Sequence, residues 1–101
     1  MTNIVAITAC PTGIAHTYMA AEQLEKAAKS LGIDIKVETQ GAMGIENTLS
    51  LDEILQADCV VVVSDIALEK AERFSNSTII YLAMEDVLTD AETALKKQLP
   101  Q

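Results

Sequence analysis

Ile4-Val5-Ala6-Ile7-Thr8-Ala9, followed directly by Cys10-Pro11-Thr12-Gly13-Ile14-Ala15-His16-Thr17, is the stretch from which the rest of the 101-residue chain can be read. The first six residues are apolar and partly β-branched. That is the pattern of a central strand buried on both faces. Pro11 disfavours the helical region for Cys10 and suits a helix start itself. Gly13 permits a tight turn. A helix is expected from about Gly13 to Leu31, with Ala20, Leu24, Ala27 and Leu31 on one face. Glu22, Glu25, Lys26 and Lys29 fall on the other. Gly32 is a stop signal.

The alternation continues outward. Ile33-Asp34-Ile35-Lys36-Val37-Glu38 alternates strictly, which predicts a more peripheral strand with one wet face. Gln40-Gly41-Ala42-Met43-Gly44 reads as a loop. Ser50-Leu51-Asp52-Glu53 has capping-box spacing and predicts a short helix to about Gln56. Cys59 to Val63 is a buried strand, Ala67 to Phe74 a helix and Thr78 to Leu82 a fourth strand. Thr89-Asp90-Ala91-Glu92 is a second capping box, opening or re-capping a last helix that ends near Leu99-Pro100. Strands alternating with helices imply a parallel sheet with right-handed crossovers. The expected fold is α/β: a single domain over 1–101, a three-layer sandwich of four parallel strands in the order 2-1-3-4, with helices on both faces. In such sheets the functional crevice lies beyond the carboxyl ends of the strands.

Composition removes several function classes. The net charge of −8 disfavours nucleic acid as a partner. No apolar run approaches the roughly 20 residues needed to span a bilayer, and the N-terminus does not read as a signal peptide. The expectation is a cytoplasmic chain that does not itself span a membrane. Two distant cysteines and one histidine do not make a zinc site, and no acidic cluster is placed to hold another metal. No metal and no cofactor are expected. Cys59, opening an apolar strand, reads as a core residue.

Cys10 is different. It stands where the first strand ends and the first helix begins, so unpaired helix N–H groups point back at it. The macrodipole favours its thiolate, whose free pKa of roughly 8.5 can fall by several units in such a place. Apart from the terminal amine and His16, no cationic or acidic side chain precedes Glu22. A phosphate here would be held mainly by backbone dipoles and by the Thr12 and Thr17 hydroxyls. Such a site suits a phosphoryl group that must leave again. His16, six positions after Cys10, can donate to that phosphate or steady the loop through a backbone hydrogen bond.

Cys10-Pro11-Thr12-Gly13-Ile14-Ala15-His16-Thr17 resembles the active-site loop of the fructose-type IIB components of the phosphoenolpyruvate-dependent sugar phosphotransferase system. Met19-Ala20-Ala21-Glu22 and Lys36-Val37-Glu38-Thr39-Gln40-Gly41 extend the match, and Asp65-Ile66 and Arg73-Phe74 look like its later landmarks. Ala42 stands where the family often has Ser, and Ser75-Asn76-Ser77 replaces a common Gly-Lys pair. The resemblance implies that Cys10 takes a phosphoryl group from a phosphohistidine on a IIA component. Cys10 then passes it to a sugar, fructose or a related one, on a membrane IIC component. Pro11, Thr12, Gly13, Ile14, Ala15 and Thr17 would form the phosphate loop, with His16 at the site. A lone domain relaying phosphate in this way is expected to be a monomer.

Two rival classes follow from the same residues. Low-molecular-weight phosphatases carry a Cys-x5-Arg-Ser/Thr loop at this place. Here the spacing reads Cys10-x5-His16-Thr17, without the guanidinium fork that clamps phosphate oxygens. Asp65 is the residue that could serve as such an enzyme's acid. A non-catalytic regulatory module that docks on a partner is the other.

Overall fold

A computed structural model describes residues 3–9, 15–41, 44–64, 68, 70–75 and 77–98. In chain order the elements are β1 (Asn3–Ala9), α1 (Ala15–Leu31), β2 (Asp34–Gly41), β3 (Gly44–Glu46), α2 (Leu51–Gln56), β4 (Cys59–Ser64), a 3-10 turn (Ala71–Phe74), β5 (Ile79–Tyr81) and α3 (Met84–Gln98).

β1 is the middle strand, as its largely apolar run requires, and it is buried from Ile4 to Ala9. It pairs in parallel with β2 on one side and β4 on the other, and β5 lies parallel to β4. These four strands stand in the expected order. The sheet nevertheless has five strands, β3-β2-β1-β4-β5, because β3 adds an antiparallel edge to the end of β2. The segment expected as a loop is therefore partly strand. Gln40 and Gly41 continue β2, opposite Ile45 and Gly44. Gly44 takes φ +94, which glycine adopts without steric cost. Gly44-Ile45-Glu46 holds a single apolar residue, so no alternation marks it as a strand.

Helices cover both faces. On one, α1 and α3 pack Ala20, Leu24, Val87 and Leu95 against Ile4, Ala6, Val61 and Val63. On the other, Leu49, Ile54 and Phe74 close over Val5, Ile7, Val60 and Val62. Leu24 is fully buried, a burial worth roughly 2–3 kcal/mol. α1 runs to Leu31 and stops at Gly32, φ +71, as expected. Its expected start at Gly13 lies outside the described residues.

Three local expectations need correction. The helix from Ala67 to Phe74 is, among the described residues, a single 3-10 turn. Lys70 is left-handed, at φ 58, and ends any helical run before Ala71. The wet face expected for β2 is not wet at Glu38, which is fully buried under Leu49 and Arg73, while Val37 packs on the opposite face with α1 and α3. The second cap is real but shifted by one residue. α3 breaks at Asp90 (φ −160, ψ 83), whose carboxylate accepts from Thr93 N and Thr93 Oγ1 at 3.2 and 2.7 Å. Glu92, expected to close that box, instead accepts from Ser30 Oγ of α1 at 2.6 Å. The first box forms as read, with Ser50 and Glu53 exchanging side-chain and backbone bonds.

Candidate functional site

The carboxyl end of β1 and the first turn of α1 face the same edge of the sheet, and the segment 10–14 joins them. Cys10, Pro11, Thr12, Gly13 and Ile14 lie outside the described residues, as do Ala42, Asp65 and Asn76. What the structure describes is the frame that holds that segment at both ends.

At the strand end, Ala9 is flanked by Gln40 of β2 and Ser64 of β4. Both neighbours are hydrogen-bonded strands, so the residue that precedes Cys10 has little freedom. At the helix end, Thr8 Oγ1 donates to the Thr17 carbonyl oxygen at 3.0 Å. Both threonines are fully buried. This bond ties β1 to the first turn of α1 and fixes the angle at which the helix leaves. Thr17 Oγ1 is also buried and, among the described residues, has no hydrogen-bond partner. A buried hydroxyl without a partner is costly and rare. Ala15 and His16 are exposed on the same turn. The structure thus brings Ala15, His16 and Thr17 to the loop's exit, with His16 open to solvent and Thr17 turned into the protein.

The electrostatics of α1 agree with an anion at its start. α2 carries Asp52 and Glu53 in its first turn, and α3 carries Glu85 and Asp86. Those carboxylates answer the positive end of each helix. α1 has seventeen residues and no acidic side chain in its first turn. No carboxylate of its own first turn answers its N-terminal partial charge.

Below this edge, on the face covered by α2, lies a polar network that the sequence pattern concealed. Glu38 lies level with Ile7 in the sheet. Its carboxylate accepts a two-pronged bond from Arg73, Nη1 and Nη2 each at 2.9 Å. Gln40 Nε2 and the Leu49 N–H donate to it at 2.8 Å each. Arg73 also donates to the carbonyls of Leu49 at 2.8 Å and Lys70 at 2.9 Å. Its guanidinium carbon lies 4.9 Å from the centre of the Phe74 ring. Burial pushes the Glu38 carboxyl up, but Arg73, Gln40 and the Leu49 amide together more than offset this and hold it below its ordinary range. The bond to Glu38 in turn raises Arg73. Four of the five Arg73 donors are committed within the protein, so this guanidinium is not set up as a phosphate clamp. The signal available beforehand was that Glu38 and Arg73 belong to two short stretches, Lys36 to Gly41 and Arg73-Phe74, that resemble family landmarks. Their pairing was not visible.

Cys59 is buried at the start of β4, and burial raises its thiol pKa first, with Asp58 adding to the effect. It is a core residue, as expected. Among the described residues no group of three or more His, Cys, Asp or Glu is placed to hold a metal ion. No helix among them is long and apolar enough to cross a membrane.

Comparison with known proteins adds a second line of evidence. A family model described as "PTS system, Lactose/Cellobiose specific IIB subunit" matches residues 5–97. The chain is 47% identical over 97 residues to the "PTS system fructose-like EIIB component 2" of Escherichia coli, covering 96% of this chain and 92% of that one. It is 48% identical over 92 residues to the "Fructose-like PTS system EIIBC component" of Escherichia coli, covering 89% of this chain and 19% of that longer one. The crystal structure of a predicted fructose-specific IIB protein from Escherichia coli superposes with a TM-score of 0.90 at 38% identity. It covers all of this chain and 94% of that one. The model and the relatives agree on IIB and differ in the sugar they name.

Proposed function

Because the chain belongs to the IIB component family of the phosphoenolpyruvate-dependent sugar phosphotransferase system, in its fructose-like branch, we propose that Cys10 is the residue that carries the phosphoryl group. The donor is a phosphohistidine on a IIA component. The acceptor is a hydroxyl of a sugar, fructose or a related one, held by a membrane IIC component. The chain acts as one IIB domain on the cytoplasmic side of that membrane component.

The single observation that supports this most is the frame around residues 10–14. A strand end is fixed on both sides, and a helix start is tied to it by Thr8 and Thr17 and left without its own carboxylate. Such a frame can present a thiolate and a set of backbone N–H groups to the same phosphate. In the first step the Cys10 thiolate attacks phosphorus in line. The S–P bond forms, the N–P bond breaks, and the departing histidine nitrogen keeps the electron pair. Loop amides from Thr12 to Thr17 and the Thr12 hydroxyl hold the equatorial oxygens, and Thr17, whose side chain is buried, anchors the exit of the loop. His16 donates a hydrogen bond to the phosphate or steadies the loop. In the second step the sugar hydroxyl oxygen attacks phosphorus as it loses its proton, and the thiolate leaves. The commitment of Arg73 to Glu38, and His16 at the position where a phosphatase loop has its Arg, favour transfer over hydrolysis.

The test is reconstitution. With a phosphorylated IIA component, membranes containing a fructose-type IIC component and labelled fructose, the wild-type chain supports formation of sugar phosphate and Cys10→Ser does not. Sugar phosphate formation by Cys10→Ser, or rapid hydrolysis of an aryl phosphate by the wild type, overturns the proposal.

A further inference from the structure

We infer that Glu38 and Arg73 are a positioning pair for the Cys10 loop, fixing the carboxyl end of β2 against the strand from which the loop is presented; this rests on the phosphoryl-transfer role proposed above. The pair is heavily bonded. Glu38 accepts four hydrogen bonds while fully buried, and Arg73 adds two to backbone carbonyls. Together they join β2, the segment before α2 and the 3-10 turn at one end of the sheet.

Stability alone gives a poor reason for this arrangement. A buried ion pair is commonly no better than apolar side chains of the same volume, although removing one partner alone is strongly destabilising. The neighbours here, Ile7, Leu49 and Phe74, are already apolar. What apolar side chains cannot supply is direction. The two-pronged bond fixes Glu38 in orientation as well as position. Glu38 then holds the Gln40 amide, and Gln40 is paired with Ala9, one residue before Cys10. A shift at this end of β2 passes through the ladder to Ala9. The pair is neutral overall and Arg73 is occupied, so it acts on the loop through β2 and Gln40 and not by touching phosphate.

The test compares the wild type with the double variant Glu38→Gln plus Arg73→Met, which keeps side-chain volume and removes both charges. Two quantities are read besides the unfolding midpoint. One is the pH at which Cys10 alkylation by iodoacetamide reaches half its maximal rate, followed on the Cys10 peptide by mass spectrometry. The other is the rate of phosphoryl acceptance from a phosphorylated IIA component. A positioning role predicts that the folded double variant has its alkylation midpoint at higher pH and accepts phosphate about tenfold more slowly. A merely structural pair would move the unfolding midpoint and leave the alkylation midpoint in place. A folded double variant with wild-type midpoint and rate overturns the inference. If the double variant does not fold, Arg73→Lys, which keeps the cation and loses the fork, carries the same comparison with the same two outcomes. Failure of the underlying role looks different: the wild type itself accepts no phosphoryl group, and the alkylation midpoints still decide whether the pair positions Cys10.

Discussion

Glu38 shows how far a single residue can depart from its local pattern. It stands at a position of strict alternation where the pattern predicts solvent, yet it is fully buried because Arg73, distant in sequence, supplies the counter-charge. Removing only Arg73 leaves that carboxylate buried and uncompensated. Arg73→Ala should lose about 3–5 kcal/mol in urea unfolding, far more than the usual surface substitution. The pH dependence has a definite sign. The folded carboxyl titrates below its ordinary value, so its contribution is present above the unfolded value of about 4.3 and is lost as pH falls through the folded value. Urea midpoints measured from neutral pH downward should decline below about pH 4, and the double variant lacking both charges should decline less. The reading of Cys10 and its loop rests on Cys, Pro, Gly, His and Thr at fixed spacing, which carry their chemistry locally, and residues 10–14 lie outside the described residues. The Glu38–Arg73 pair was not legible, because no local spacing encodes a contact between the second strand and a turn beyond the fourth.

At the scale of elements, legibility follows the strength of the local signal. The first capping box formed as read because Ser50 and Glu53 need only each other. Ser50→Ala should cost about 1 kcal/mol in thermal unfolding. The second box was displaced. Thr89-x-x-Glu92 has the right spacing, but Asp90 and Thr93 make the cap, and Glu92 is drawn to Ser30 on the facing helix. Asp90→Ala should therefore cost about 1 kcal/mol, whereas Thr89→Ala should lie within about 0.5 kcal/mol of the wild type; chemical unfolding distinguishes the two. β3 escaped because Gly44-Ile45-Glu46 holds a single apolar residue and so shows no alternation, and the expected helix to Phe74 is reduced to a 3-10 turn because Lys70 is left-handed.

The whole molecule is a sheet whose middle strand, β1, leads at its carboxyl end into the loop proposed to hold phosphate. Both faces of β1 are covered and both of its edges are paired. The fold class followed from alternation and the apolar runs, and the four parallel strands stand in the expected order with the doubly buried β1 and β4 inside. This predicts a contrast in sensitivity. Leu24→Ala, in the layer between α1 and the sheet, should cost about 2–5 kcal/mol. Leu55→Ala, on the 76%-exposed side chain of α2, should leave stability within about 0.5 kcal/mol of the wild type. Differential scanning calorimetry of the two variants checks it. The most direct test of the account as a whole is phosphorus NMR of the chain after exposure to a phosphorylated IIA component. A thiophosphate resonance should appear in the wild type, be absent from Cys10→Ser and disappear on addition of IIC membranes and fructose. Transfer without that resonance, or a resonance that persists in Cys10→Ser, would contradict the proposed role of Cys10.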